Sequence, residues 1–398
     1  MQRWHRWIPH LVHAGVEIHV LTSSGGDYPV LDESLVEEIP PSVKVYHSTA
    51  PRLGRIWQRL FGKDSAMPHG SLDYDEHPGP LKAILLWLRL NLVIPDMRVF
   101  WNRGAFKVAQ KLVREIPFNA VITTGPPHST HLIGLKLKHR FELRWIADFR
   151  DPWSEIHYLK LNPPCRLSRH IHKLLETKVL SSADKCLVVS HNISANLPEG
   201  NKVVIYNGFD EDKLAPFVNS PTSRFRIKYV GQITAGQDWD GMLDILAQLD
   251  PKVEVSFIGT KLNPLQLKQL RDKLGDRAKV LPHLIQTEAL REMVQAELLI
   301  LLINYYEGAE GMLTTKLFEY IGSRTPILAL GPHGGEAEKC ILDHHAGAYF
   351  DKRELDLALD FTQIVIQAWE KRNDLRNASD ISSLSAKRQS LRLIRELF

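Results

Sequence analysis

Short apolar runs that alternate with helix-like segments constrain the fold of this chain more than any other feature. In the first half the runs occur at 16–22, 120–124, 144–148, 185–190 and 203–208, and each ends in Gly, Ser, Thr or Asp. Each run is apolar at odd and even positions alike, which is typical of parallel strands buried on both faces. The alternation therefore predicts βαβ units, with helices on both sides of a parallel sheet.

A second series of the same kind follows residues 213–223, where two prolines and the lack of a clear period predict a linker. Its predicted strands are 226–230, 253–258, 278–281, 298–303, 326–330 and 348–350. A chain of 398 residues also exceeds what one hydrophobic core usually supports. We therefore expect two doubly wound α/β domains, 1–213 and 214–377, with a C-terminal helix at 378–398 that packs back on the first domain.

The start of the chain departs from this pattern. A nucleotide-binding α/β domain normally begins with a central strand that leads into a glycine-rich turn, whereas residues 2–14 have the pattern of a helix. The first strand is therefore expected to be missing, either because the chain is short at its start or because the fold has no strand here.

The charge and cysteine content exclude several classes of protein. The 50 basic and 46 acidic residues give a net charge of +4, which is too balanced to predict a nucleic-acid partner. Cys165, Cys186 and Cys340 form no CxxC pair, so neither disulfides nor a zinc site is expected. The 18 histidines include no HExxH spacing, and no apolar run reaches the roughly 18 residues of a membrane span. We expect a cytoplasmic protein without a catalytic metal.

A glycine-containing turn in the second half is a candidate phosphate site. The segment 229–236, YVGQITAG, ends a predicted strand and places Gly231, Gln232 and Gly236 before a helix. Backbone N–H groups in such a turn can approach a diphosphate. A tight βα turn without a ligand has the same pattern, so the segment alone leaves both readings open.

The segment 310–320, EGMLTTKLFEY, is the second candidate, because a loop runs into a helix with Thr314 or Thr315 as N-cap. Lys316 then lies in the first helical turn, where its cation adds to the positive end of the helix dipole. Glu319 shares that helix face and can accept hydrogen bonds from a ribose diol. The alternative is an ordinary Lys–Glu pair on a helix surface.

Charged residues also follow a predicted strand of the first half. In 145–153, WIADFRDPW, the strand end carries Asp148, Arg150 and Asp151. Charges at a buried strand end are costly unless they pair or bind a ligand, and the sequence leaves both open. His128 follows another strand and either faces a ligand or caps the next helix.

The segment 51–63, PRLGRIWQRLFGK, alternates basic with large apolar residues and is followed by the apolar stretch 84–92. This composition is compatible with contact at a membrane interface, with the basic residues towards anionic lipid. An ordinary helix packed on the sheet is the alternative.

In combination and in order, these segments resemble glycosyltransferase family 4, specifically bacterial members that act in surface-polysaccharide assembly. The resemblance covers nearly the whole chain and rests on 124–134 TGPPHSTHLIG, 147–153 ADFRDPW, 203–210 VVIYNGFD, 229–231 YVG, 315–320 TKLFEY and 324–327 RTPI. It implies a GT-B fold of two Rossmann-like domains and a metal-independent, retaining hexosyltransferase. A nucleoside-diphosphate-sugar would be the co-substrate, with no other cofactor, and the acceptor would be a saccharide or a lipid-linked saccharide. The resemblance also implies peripheral contact with the inner face of the cytoplasmic membrane.

Roles for single residues follow from the same resemblance. Glu319 would bind the ribose, Lys316 and the turn at Gly231 and Gln232 the diphosphate, and the backbone of Gly311, Met312, Leu313 and Thr314 the donor sugar. Asp151 and Lys316 would be the catalytic residues, and His128, Asp148 and Arg150 would face the acceptor.

Two residue patterns depart from the family. Gly311 stands where the family has the first of two glutamates eight positions apart, and Gln237 and Asp238 replace the expected Arg and Lys after the first turn. Two alternatives stay open. One is a nucleotide-sugar 2-epimerase of the same fold, and the other is a sugar- or nucleotide-binding protein without catalytic activity.

Overall fold

A computed structural model describes residues 2–25, 34–51, 79–156, 159–160, 162–220 and 222–397. The chain divides into two compact units. The N-terminal unit comprises Ile8–Ile205 and Ile394–Phe398, and the C-terminal unit comprises Met1–Trp7 and Tyr206–Leu393. Residues 206–213, predicted to lie in the first domain, group with the C-terminal unit because Phe209 and Leu214 are part of its core.

The N-terminal unit contains two parallel sheets. Its strands are β1 His19–Ser24, β2 Lys44–Thr49, β3 Val121–Gly125, β4 Trp145–Phe149, β5 Lys185–Val188 and β6 Lys202–Val204. Strands β3 to β6 form one sheet in sequence order, whereas β1 pairs with β2 in a separate two-stranded sheet. Every residue of β4 is buried, as its apolar sequence predicts for a strand covered on both faces.

Helices pack on these strands around a core in which Trp101 and Ala105 meet Ile133 and Leu137. The helices are α1 Gln2–His13, α2 Ser34–Glu37, α3 Pro80–Leu92, α4 Asn102–Glu115, α5 His131–Phe141, α6 Arg166–Ser182 and α7 His191–Asn196, with 3-10 turns at Met97–Phe100 and His128–Thr130. Helix α1 contributes residues to both units. It precedes all the strands, so the described chain opens on a helix, as predicted.

The C-terminal unit contains a single parallel sheet of six strands. They are β7 Arg226–Val230, β8 Glu254–Ile258, β9 Ala278–Leu281, β10 Leu298–Leu302, β11 Ile327–Leu330 and β12 Gly347–Phe350. Their order across the sheet is β12-β11-β10-β7-β8-β9. This is the order of a doubly wound nucleotide-binding domain, in which the chain reverses direction across the sheet between the first and fourth strands, here β7 and β10.

The helices of the C-terminal unit cover both faces of the sheet and create a hydrophobic core on each. They are α8 Glu211–Leu214, α9 Trp239–Ala247, α10 Pro264–Leu274, α11 Gln286–Val294, α12 Thr315–Gly322, α13 Glu336–Asp343, α14 Leu355–Glu370 and α15 Ala386–Leu397, with 3-10 turns at Gly275–Arg277, Ala309–Gly311 and Ser382–Leu384. The buried hydroxyl of Tyr320 in α12 accepts a hydrogen bond of 2.9 Å from the backbone N–H of Val230. That bond joins α12 to the end of β7.

Helix α15 is divided between the two units after Leu393, and each part forms hydrogen bonds within its own unit. The side-chain amide of Gln389 accepts from the backbone N–H of Tyr206 at 2.9 Å in the C-terminal unit. At its end, Glu396 pairs with Lys185, and Arg144 donates to the Leu397 carbonyl in the N-terminal unit. Of the predicted helix 378–398, only the residues from Ile394 onward group with the N-terminal unit.

The predicted interfacial segment 51–63 lies outside the described residues, apart from Pro51. The apolar stretch 84–92 forms most of α3, in which Ile84, Trp87 and Leu92 are 57%, 54% and 72% exposed. None of the helices in the described part of the chain is long and apolar enough to cross a membrane.

Candidate functional site

The candidate site lies in the C-terminal unit, at the carboxyl ends of β7 and β10. Gly231 follows β7 directly, and the loop from Ile303 to Thr314 connects β10 to the first turn of α12. In a doubly wound sheet, ligands bind outside the carboxyl ends of the strands at the position where the strand order reverses. The two segments predicted to bind phosphate therefore meet at the position that the topology favours.

The turn at Gly231 lies against the side chain of Lys316 and has a backbone conformation that favours glycine. Gly231 has a φ of +117°, and a Cβ atom added there would lie 2.9 Å from both Cε and Nζ of Lys316. Two hydrogen bonds fix the turn. The Gly231 N–H donates to the Ile258 carbonyl, and the Gly231 carbonyl accepts from the Thr260 hydroxyl at 2.7 Å. The glycine thus brings the backbone next to a cation.

Lys316 lies in the first turn of α12, whose N-cap is Thr314. Its Nζ donates to the Tyr229 hydroxyl at 3.0 Å and lies 4.2 Å from the centroid of the Tyr229 ring. Burial lowers the pKa of Lys316 to about 8, and the nearby Glu319 carboxylate opposes that shift. A phosphate bound at this position would favour the charged ammonium and raise the pKa again.

Glu319 lies one turn further along α12 and has protein partners. Its side chain is 13% exposed and pairs with Arg6, which is 2% exposed. Arg6 also donates to the Gly208 carbonyl at 2.8 Å, and the Gln286 amide approaches the Glu319 carboxylate at 3.4 Å. The carboxylate is therefore oriented by a buried cation and has further lone pairs for a ligand.

Arg6 is a site residue that the sequence analysis missed. The contact joins residues 313 positions apart, and no local pattern reveals such a separation. A pattern in α1 could have indicated that Arg6 is buried. Arg3 lies three positions from Arg6 and four from the buried Trp7, so both arginines fall on the buried face of the helix. An arginine on the buried face of a helix implies an acceptor opposite it.

Other predicted donor-site groups already have partners within the unit. The Gln232 amide donates to the Gly259 carbonyl and its oxygen accepts from the Lys261 N–H at 3.1 Å, so the side chain joins two loops. The Met312 N–H donates to the Ala309 carbonyl at 2.9 Å. Gly311 and Leu313, on either side of Met312, are buried.

Asp148 is the fourth residue of β4, and Arg150 and Asp151 follow the strand. Asp148 is fully buried and accepts a 2.8 Å hydrogen bond from the Thr124 hydroxyl. Arg150 donates to the carbonyls of Gly125 and Pro126, which fixes the turn after β3. Asp151 is the exposed member of the group.

His128 is buried in a stack of rings rather than capping α5. Its ring lies parallel to that of Trp153 with 5.3 Å between centroids, and His131 stacks on Phe149 at 4.6 Å. Burial lowers the pKa of His128 well below its usual range and that of His131 to about 3, so both rings are neutral at pH 7. This group lies in the N-terminal unit, whereas Gly231, Lys316 and Glu319 lie in the C-terminal unit.

Within the described residues, no three His, Cys, Asp or Glu side chains are grouped so that they could hold a metal ion. The predicted absence of a catalytic metal stays a prediction.

The whole chain is similar in structure to glycosyltransferases of the GT-B fold. HepE from Anabaena, solved in complex with UDP-glucose, matches with a TM-score of 0.60 and 14% identity over 100% of this chain and 95% of that one. A glycosyltransferase from Rickettsia africae matches with a TM-score of 0.62 and 11% identity, covering 100% and 93%. WaaG, a glycosyltransferase of lipopolysaccharide biosynthesis, matches with a TM-score of 0.54 and 14% identity, covering 98% and 94%. These similarities confirm the predicted GT-B fold.

Sequence comparison adds no closer assignment. Neither a protein-family model nor a curated protein matches the chain.

Proposed function

We propose that this protein is a glycosyltransferase that uses a nucleoside-diphosphate-sugar as donor. The observation that carries the proposal is the juxtaposition of Gly231, Lys316 and Glu319 at the carboxyl ends of β7 and β10. A glycine turn and a cation at a helix N-terminus suit a diphosphate, and a carboxylate one turn away suits a ribose diol. The fold shared with HepE, which was solved with UDP-glucose, supports this choice of ligand.

Lys316 would stabilise the negative charge that develops on the leaving diphosphate. The ammonium is held against the Tyr229 ring and hydroxyl in a partly buried position, where a fixed charge acts more strongly than in water. Burial lowers the pKa of Lys316 to about 8, which means that its protonated form is destabilised. A bound anion would stabilise the ammonium and raise the pKa again. The N–H groups of the first turn of α12 would add to the same effect.

We assign the reaction to the metal-independent, retaining hexosyltransferases, with a saccharide or lipid-linked saccharide of the cell surface as acceptor. Asp151, exposed directly after β4, is our candidate for a group near the reacting sugar. The buried His128 and Asp148 would support the acceptor-binding surface without contacting the acceptor, together with Arg150 on the adjacent turn. The exposed apolar residues of α3 favour peripheral contact with the cytoplasmic face of the membrane.

Calorimetric titration with UDP-glucose tests the donor site. Replacing Glu319 with Ala should weaken binding about tenfold or more, because a charge-assisted hydrogen bond to the ribose is lost. Glu288→Ala, which removes an exposed carboxylate from neighbouring α11, is the matched control and should leave the affinity unchanged. Equal affinities for wild type and Glu319→Ala would remove Glu319 from the site.

A further inference from the structure

A concave surface lies in the N-terminal unit, at the beginning of α6. It forms an open cavity of about 290 Å³. Leu159 and His172 are buried residues of its wall, and the side chains of Arg166, Arg169, His170 and Lys173 surround it. The volume is at the lower end of the range for ligand pockets, which suits a small group rather than a whole nucleotide.

The positive charges around this cavity are not neutralised within the described protein. None of Arg166, Arg169 and Lys173 forms an ion pair with a described residue. The acidic residue of the wall, Glu155, lies 3.5 Å from Lys160 instead. Elsewhere in the same unit, basic side chains such as Lys138 do pair with a carboxylate, in that case Asp184.

The position of these cations on α6 is unfavourable for the helix itself. Arg166, Arg169 and Lys173 are spaced so that they share one helix face, where like charges three or four positions apart repel each other. The first turn of α6 contains no acidic residue, and cations there oppose the positive end of the helix dipole. An anion in the cavity would reverse both effects, because it would attract the side chains and the helix N-terminus alike.

His172 adds a neutral hydrogen-bond donor to the same wall. Its Nδ1 accepts a bond of 3.1 Å from the Trp153 indole N–H, which can only donate. Burial lowers the pKa of His172 to about 4, so at pH 7 the ring holds one proton, which must be on Nε2. The ring is 2% exposed and lines the cavity.

We propose that this cavity binds a phosphate or diphosphate group through Arg166, Arg169, Lys173 and the N-terminal turn of α6. Guanidinium groups match the oxygen geometry of phosphate, and several cations around one concave surface add their attraction. The site is separate from the donor site, which lies in the other unit. Binding of the anion does not depend on the proposed transferase activity, although a phosphate-bearing acceptor would be one ligand of this chemistry.

Calorimetric titration of the full chain with inorganic diphosphate at low salt tests the proposal. Arg169→Glu should weaken binding about tenfold or more, since it removes a charge-assisted bond and adds a repulsive charge. Lys178→Glu makes the same charge change at an exposed position further along α6, away from the cavity, and should have no effect. Circular dichroism of each variant confirms that it is folded, and Arg169→Gln should give an intermediate loss.

A second arm separates a soluble source of the phosphate from a lipid. Sedimentation with phosphatidylcholine vesicles, with and without phosphatidic acid, presents the same group on a membrane. Binding of inorganic diphosphate that Arg169→Glu weakens and Lys178→Glu does not would support a soluble ligand. The same dependence seen only with phosphatidic acid would support a lipid headgroup. Absence of binding in both assays, or equal losses in the two charge-reversal variants, would overturn the proposal.

The titrations with UDP-glucose and with diphosphate test the two proposals separately, so one proposal can fail while the other holds. Loss of UDP-glucose binding in Glu319→Ala concerns the C-terminal unit only, and Arg169→Glu should leave that affinity unchanged. Diphosphate also resembles the donor, so the titration is repeated with the donor site saturated by UDP-glucose. Residual binding that still depends on Arg169 then belongs to the cavity.

Discussion

The candidate sites of the two units differ in how their charged side chains are paired. At the proposed donor site of the C-terminal unit, Lys316 contacts the Tyr229 ring and hydroxyl, and Glu319 pairs with Arg6. At the cavity of the N-terminal unit, Arg166 and Arg169 have no such counterparts among the described residues. The first arrangement fixes its charged groups before a ligand arrives, at the cost of burying them. In the second arrangement the cations are exposed to water, and a ligand would supply their counter-charge.

The largest effect should come from breaking the buried pair of the C-terminal unit. Arg6→Met leaves the Glu319 carboxylate without its cation and the Gly208 carbonyl without its donor. We expect the free energy of unfolding to fall by about 3 kcal/mol, as for other buried pairs that lose one partner. Urea denaturation measures the change, and Arg103→Met, at an exposed position of α4, should change it by less than about 0.5 kcal/mol.

Equal stability of Arg6→Met and Arg103→Met would mean that the pairing of Glu319 with Arg6 adds nothing to stability. The proposed donor site and the cavity would then not differ in this respect.

Burial of a charged group should also make the free energy of unfolding depend on pH through Lys316. Its pKa is about 8 in the folded protein against an ordinary 10.5, so the unfolded chain binds more protons between these two values. The stability of the wild type should therefore rise with pH from about 8 to 10.5, relative to a variant that lacks the group. The upper limit of this rise is about 3 kcal/mol, because the shift approaches 2.5 pH units.

Lys316→Met supplies that variant, and unfolding by urea at pH 7 and pH 10 measures the difference. Lys268→Met, on the exposed face of α10 in the same unit, is the control and should follow the wild type at both pH values. A constant difference between wild type and Lys316→Met would show that the ammonium is not destabilised by burial.

The smallest effect should appear in the N-terminal unit and have the opposite sign. Arg169→Glu replaces a cation near the start of α6 with an anion, which the helix dipole favours. In the absence of phosphate we expect the free energy of unfolding to rise by about 0.3–1 kcal/mol. Thermal unfolding at low ionic strength measures it, with Lys178→Glu as the control that should bring no gain. A loss of stability in Arg169→Glu would mean that this arginine is held by the protein rather than kept for a ligand.

The sequence predicted most of the sheet structure because buried parallel strands have a simple signal. The predicted bounds of β7 and β9 agree with the structure, and the N-cap of α12 is one of the two residues proposed. Strand β2, KVYHST, was missed because it is polar at most positions and mainly exposed. Its pairing with β1 is a tertiary property that no local pattern contains.

The site was predictable only in part for a related reason. Helix spacing was enough to place Lys316 and Glu319 together, and the glycine turn was recognisable from its strand and helix neighbours. The contact of Arg6 with Glu319 and the burial of His128 against Trp153 depend on residues far apart in the chain. The basic residues of α6 were not among the predictions, because only the fold places them around a concave surface.

The hydrogen bond from Val230 to the Tyr320 hydroxyl has a consequence for ligand selection. It joins the last residue of β7 to the helix that contains the lysine and the glutamate, and it lies in the core of the unit. This buried bond therefore helps to fix the distance between the glycine turn and the two side chains. If the proposed donor site is correct, this fixed spacing would distinguish nucleoside mono-, di- and triphosphates by the length of their phosphate chains. No loop would then need to adapt to each nucleotide.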